Sequence, residues 1–303
     1  MASIEELTRE RIRLYDEAPE KLATEAAKIQ ADLWRQLLPI ITELETDAEG
    51  RILQTDANIN RVASIIEALD VLLAGDEYRD AVREFLGAMD RGFQITNEIA
   101  AQIESGFEPK TAQVRLYNLL RDNAINSLIG EGIQSRVSQP FQQQLLENIA
   151  TRAPLREAVK ALEVVIVGDE GTDGRVAANV KVVTNTAQAV ADRSYSAAVY
   201  EDLGVEWFRY VGGEIPTSRP FCKHREGEVY HRKEIEAWGR GENAGGLNDI
   251  KNDTWDGQIK GTNEATIFTN LGGWNCRHSL VPVGRRRVPP DVIERAKKEG
   301  YIN

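Results

Sequence analysis

Five side chains in this sequence can serve as soft metal ligands or as nucleophile and base: Cys222, His224, His231, Cys276 and His278. All five fall in a window of 57 residues within a chain of 303, tighter than chance scattering would place them. One spacing occurs twice, a cysteine two positions before a histidine, in Arg219-Pro220-Phe221-Cys222-Lys223-His224 and in Gly272-Gly273-Trp274-Asn275-Cys276-Arg277-His278. Zinc takes four tetrahedral N/S donors, and small domains commonly supply them as two short-spaced pairs joined by a longer loop. Cys222, His224, Cys276 and His278 are therefore the candidate ligands of a zinc site. A single intervening residue is tighter than the roughly two to four usual within such pairs, so both members reach one ion only across a kink.

Other chemistries use the same residues. A Cys/His nucleophile pair needs an exposed thiolate beside a base that a third group orients, and no local signature of a cysteine protease surrounds either cysteine. A nuclease or ADP-ribosyl-transferring site would draw on Arg219, His224, Glu226 or His231, and no spacing selects among them. The plainest alternatives are cysteines buried as small hydrophobes with hydrogen-bonded histidines, or one Cys222–Cys276 disulfide.

The elements that must position these residues divide by texture, and the pattern predicts an α+β protein. From about residue 20 to about residue 203 apolar residues recur at three- and four-residue steps. Ile29, Leu33, Leu37, Ile40 and Leu44 line one helix face, as do Val62, Ile65, Leu69 and Leu72, and Tyr78, Val82, Phe85 and Met89. Breaks fall at Asp47 to Gly50, Ala74 to Asp76, Gly106 to Pro109, Gly130 to Gly132 and Ala153-Pro154. Gly168 to Gly174 reads as an acidic connector, or at most a weak cation site, because a phosphate loop would need a following lysine and few carboxylates. One more long helix ends at Leu203-Gly204. Short strands are then expected at Val205 to Val211, Glu228 to Tyr230, Ala265 to Phe268 and Ser279 to Val283, followed by a closing helix. In an extended strand Cys276 and His278 would share an inner face with Trp274, and Trp238, Trp255 and Trp274 would supply the core. Residues 1–174 thus form a helical region, and residues 175–303 a small, loop-rich β-containing domain.

Charge separates the same two parts. The chain carries a net −11, made of −13 up to Gly204 (21 Lys+Arg against 34 Asp+Glu) and +2 after it (16 against 14). An acidic helical surface repels phosphate and is not suited to wrapping nucleic acid. Arg285-Arg286-Arg287 is the one concentrated basic spot and reads as a solvated turn. No run of eighteen apolar residues occurs and the N-terminus is charged from its fifth residue. A soluble chain made in the cytoplasm, with no membrane partner, is the expectation.

One order of motifs is more specific. Tyr200-Glu201-Asp202-Leu203-Gly204-Val205 closes a long helix, and the aromatic strand Trp207 to Tyr210 follows. Next come Ser218-Arg219-Pro220-Phe221-Cys222, Gly227-Glu228-Val229-Tyr230, and Gly273-Trp274-Asn275-Cys276-Arg277-His278 before Leu280 to Val283. Over roughly residues 175 to 284 this order resembles the Mu F-like phage head morphogenesis, or minor head, proteins, whose N-terminal regions are also helix-rich. The resemblance implies a structural, non-enzymatic minor capsid protein of a tailed bacteriophage. Such a protein is made in the host cytoplasm and held in several copies in the virion, at the portal and the capsid interior. Contact with packaged DNA and a part in packaging or ejection are also implied. Where that family usually has Cys, His and Cys, this chain has Arg219, Gly273 and His278, with His224 or His231 as substitutes.

Overall fold

The computed structural model describes residues 2–213, 216, 218–242 and 250–303. The order of elements is α1 (Ile4–Thr42), α2 (Asp56–Leu73), α3 (Asp76–Ile103), α4 (Thr111–Ile129), α5 (Glu131–Ile133), a π-helical turn (Gln134–Ser138), α6 (Gln139–Ala150) and α7 (Leu155–Ile166). A small hairpin follows, β1 (Gly168–Asp169) and β2 (Thr172–Asp173), then α8 (Arg175–Asp202), β3 (Trp207–Val211), α9 (Pro220–Lys223) and β4 (Val229–His231). The chain closes with α10 (Arg232–Gly239), α11 (Ile267–Asn270), β5 (Ser279–Pro282), a 3₁₀ turn (Arg285–Arg287) and α12 (Pro290–Lys298). The α+β class stands, with helix dominating the first two-thirds. No described helix is long and apolar enough to cross a membrane.

The chain forms two compact units, and neither is continuous in sequence. One comprises residues 18–87 and 122–184, the other residues 1–17, 88–121 and 185–303. The expected division between residues 174 and 175 falls inside the first of these, where α8 begins. Helices α1, α3, α4 and α8 each give a segment to both units.

The first unit is helical apart from the two-residue strands of its hairpin. Leu33, Leu37 and Leu44 are buried as their spacing requires, joined by Ile41, while Ile29 and Ile40 flank that stripe half-buried. Val62, Ile65, Leu69 and Leu73 of α2 and Phe141, Leu145 and Ile149 of α6 supply matching stripes. Asn58 ties down the connection into α2. Its amide donates to the carbonyls of Glu45 (2.9 Å) and Leu53 (2.8 Å), and its oxygen accepts from the Glu45 N–H (2.8 Å). The α2 N-cap is Thr55, whose side chain accepts from the Asn58 N–H.

The second unit holds the sheet, ordered β4-β3-β5 and antiparallel throughout, with Tyr210 opposite Leu280 and Phe208 opposite Tyr230. Because β3 is central and covered on both sides, it reads as a dense apolar run. Phe208 and Tyr210 enter a core with Tyr195, Phe221, Trp238, Trp255 and Leu280, whereas Trp207 packs on the other side with Val229, Val288 and Val292. Gly204 ends α8 at φ +63°, the left-handed turn expected of it. Two expectations change. Ala265 to Phe268 is not a strand: Asn263 accepts from Ala265 N–H and Thr266 N–H, and this Asx turn opens the short α11. Helix α1 begins at Ile4, well before residue 20.

Replacing Asn58 by Ala strips three buried partners from the loop at once. It is expected to lower stability by about 2–3 kcal/mol, measured by denaturant unfolding of the whole chain.

Candidate metal centre

Three loop-and-edge segments converge under the sheet. Cys222 sits in α9, a single turn opened by Arg219 with Pro220 at its first position, where the missing N–H costs nothing. Cys276 leaves a tight turn in which Gly273 (φ +96°) and Asn275 (φ +58°) are both left-handed. The Trp274 N–H donates to the Gly257 carbonyl (2.9 Å), and Arg219 Nη1 donates to the Trp274 carbonyl (2.7 Å). Arg219 therefore clamps the turn that presents Cys276. His278 immediately precedes β5 and is held by its pairing with β3.

Cys222 Sγ and Cys276 Sγ lie 3.8 Å apart as free thiols, and Cys276 Sγ is 3.8 Å from His278 Nδ1. All three donor atoms fall within 4.8 Å of one another. Cys222 and His278 are 3% exposed and Cys276 4%. A tetrahedral zinc with bonds of about 2.3 Å to sulfur and about 2.0 Å to nitrogen sets its sulfurs roughly 3.7 Å apart and sulfur from nitrogen roughly 3.5 Å. Two edges of the cluster thus match those of a zinc site, and the third, Cys222 to His278, lies within 4.8 Å. The far ring nitrogen of His278 faces Glu226 Oε2 at 3.0 Å, and Glu226 Oε1 accepts the Gly212 N–H (3.2 Å), the carboxylate support that orients a ligating imidazole. Two glycines make room: a Cβ on Gly272 would overlap the Cys222 sulfur and lie 3.0 Å from that of Cys276, and one on Gly212 would press on the His278 ring at 2.7 Å.

The electrostatics match the donor set. The hydrogen bond shared with Cys276, together with burial, pushes the Cys222 thiol up. The same bond from Cys222 holds Cys276 well below its ordinary value against the cost of burial, helped by His278 and by the buried Arg193 guanidinium. Burial disfavours charge on His278, but contacts with Cys276 and Glu226 outweigh it and raise the imidazole to about 9. One thiolate is therefore already favoured, and a cation among these donors would favour the second.

Of the four predicted ligands the structure brings together Cys222, Cys276 and His278. His224 is exposed at the C-cap of α9 and does not join them. His231 is the N-cap of α10: its Nδ1 accepts the Lys233 N–H (3.3 Å) in a reciprocal capping box with Glu234. Burial, with the nearby cations Lys233, Arg285 and Arg232, holds its pKa below the usual histidine value. Trp274 is 52% exposed, not inward-facing, because the left-handed Asn275 breaks the extended alternation assumed for this stretch. Trp238 and Trp255 do enter the core. In the hairpin at Gly168 to Gly174, Asp173 pairs with Lys181 at 2.6 Å. Two residues of the site went unassigned to it: Glu226, seen only as a nuclease candidate, and Tyr210, whose hydroxyl donates to Cys222 Sγ (3.4 Å) while its ring stacks on His278. The alternation of β3, which sends Phe208 and Tyr210 to one face, was the available signal.

Cys276, His278 and the half-buried Glu226 stand in the order nucleophile, base and orienting carboxylate, and the Cys276 sulfur is itself buried. Elsewhere in the same unit, the arginine turn rims a groove of about 850 Å³ lined by Ile103, Trp207, Val211, Val281 and Val283. Arg9, Arg209, Arg285, Arg286 and Arg287 face Glu5 and Glu206 there. Only the first of those acids is seen paired, with Arg287 at 3.0 Å.

No family model, curated protein or solved structure matches the chain.

Gly272→Ala is expected to destabilise the C-terminal unit by about 1–3 kcal/mol through overpacking against both sulfurs. Thermal unfolding with a tryptophan fluorescence readout measures it, with Gly300→Ala as a control for a left-handed glycine remote from the cluster.

Proposed function

We propose that this chain is a structural minor head protein of a tailed bacteriophage, joined to the portal and capsid interior during assembly, with a C-terminal module stapled by zinc through Cys222, Cys276 and His278. The observation that carries a structural reading is the closure of the site: donors spaced for a metal are only 3–4% exposed and walled by aromatic rings. A centre of this kind adds folding energy and presents no reacting atom to a substrate. The phage reading rests on the motif order, and the residues of that order are the ones that build the cluster and its walls. Zinc would supply charge neutralisation for the thiolates and a cross-link between α9, the Cys276 turn and β5.

Assembly requires a surface, and the arginine-rimmed groove is the one this reading assigns. Its occupant is an acidic segment of a portal or capsid partner. The lining of valine and isoleucine suits a polypeptide, and Arg209 and Arg286 form no ion pair with any described residue, so their charge is available to a partner. A nucleic acid would use the arginines but gain little from the aliphatic floor.

Two outcomes test these statements. Purified particles of the source phage are expected to contain the protein, and the isolated chain to carry one zinc per molecule by elemental analysis. Chelation should lower the melting temperature, whereas a metal-free chain with an unchanged melting temperature removes the zinc staple. For the groove, Arg209→Glu combined with Arg286→Glu is expected to cut incorporation into particles at least ten-fold without changing secondary structure by circular dichroism. Normal incorporation, or particles in which only DNA crosslinks to the groove, overturns the assignment.

A further inference from the structure

Zinc in a closed site takes four donors, and the cluster so far names three. The fourth corner faces Tyr210. Its hydroxyl oxygen is 3.4 Å from Cys222 Sγ and 3.8 Å from Cys276 Sγ, beside 3.8 Å between the two sulfurs and 3.8 Å between Cys276 Sγ and His278 Nδ1. Four of the six edges among these four atoms thus lie at 3.4–3.8 Å, close to the roughly 3.5–3.7 Å edges of a zinc tetrahedron. Tyr210 is fully buried, and the hydrogen-bond partners found for its hydroxyl are the two sulfurs, which are weak acceptors. A phenol in that setting has lost water without a good replacement.

The backbone gives Tyr210 little freedom to sit elsewhere. It lies in the central strand, opposite Leu280 of the strand that follows His278. On its other side its N–H donates to the Glu228 carbonyl (2.9 Å) and its carbonyl accepts the Gly227 N–H (2.8 Å), just after the segment that carries Cys222 and Glu226. The residue is therefore pinned between the two stretches that bring the other donors.

We infer that the Tyr210 hydroxyl oxygen is the fourth donor, completing a closed Cys222–Cys276–His278–Tyr210 zinc centre. The inference rests on the zinc staple proposed above and assigns its last ligand. When the centre fills, each donor still protonated, on sulfur, on oxygen or on the ring nitrogen of a cationic His278, releases that proton to solvent as its bond to zinc forms. His278 binds as the neutral imidazole, with its other N–H directed to Glu226. Two thiolates and a phenolate around a dication leave one net negative charge, and the buried Arg193 lies close enough to Cys276 to offset it.

The test uses the full chain, stripped with chelator and titrated with zinc and with cobalt. The wild type should bind one metal per molecule. Zinc should produce a tyrosinate absorption difference, and cobalt the intense visible bands of a tetrahedral thiolate site. Tyr210→Phe should bind at least about ten-fold more weakly, lose the tyrosinate difference and shift the cobalt bands. If the wild type binds no metal, the zinc staple falls and the Tyr210 assignment with it. If the wild type binds metal without a tyrosinate difference, the staple stands and Tyr210 is not its donor. This readout comes from the wild type alone and decides the matter even where Tyr210→Phe does not fold.

Discussion

Two sulfurs and an imidazole within 3.8 Å contacts, cut off from water, can persist only if their protons and charges are shared out, and the C-terminal fold is arranged around that constraint. Cys222 keeps its proton so that Cys276 can do without one, His278 is favoured as a cation beside that thiolate, and Glu226 and Arg193 complete the balance. A central metal would settle the same problem with one ion. The aromatic walls follow from the same need, since Phe221 stacks on Trp255 at 4.5 Å and Trp238 closes edge-on against Phe221, keeping solvent out.

The surroundings are built to tolerate no drift. Gly272 and Gly212 stand where any side chain would meet a sulfur or the imidazole. Arg219 bonds the carbonyl of Trp274 and fixes the turn before Cys276. The neighbouring polar pieces are similarly committed, with Glu234 buried at the start of α10, capping His231 and bound to Arg295 at 3.0 Å.

Much of this was legible in residue order. Periodicity located the helices and their stripes because a buried helix face obeys a 3.6-residue repeat whatever it packs against. The crowding of Cys222, Cys276 and His278 into one short window marked the site. What escaped depended on backbone angles and long-range pairing. Trp274 turned outward because Asn275 adopts a left-handed conformation that no local pattern announced, and His224 stayed outside because α9 ends in a single turn. Tyr210 looked like an ordinary strand aromatic until pairing with two distant segments placed its hydroxyl on the sulfurs. The arginine run is the exposed turn its pattern suggested, but the groove it rims could not be read locally, because it is assembled from segments as far apart as Ser3 and Arg287.

The interleaving of the two units bears on how the chain is made. During synthesis every residue of the all but strandless unit has been added once Thr184 is in place, whereas the other unit draws on segments that lie on both sides of it in the sequence. Residues 1–17 and 88–121 must therefore wait in the nascent chain, their apolar faces uncovered, until the sheet strands arrive. β5 is added well after Thr184, and it adjoins His278. A ribosome that stops before His278 would leave a finished helical unit attached to an open one, with neither a closing strand nor a complete donor set.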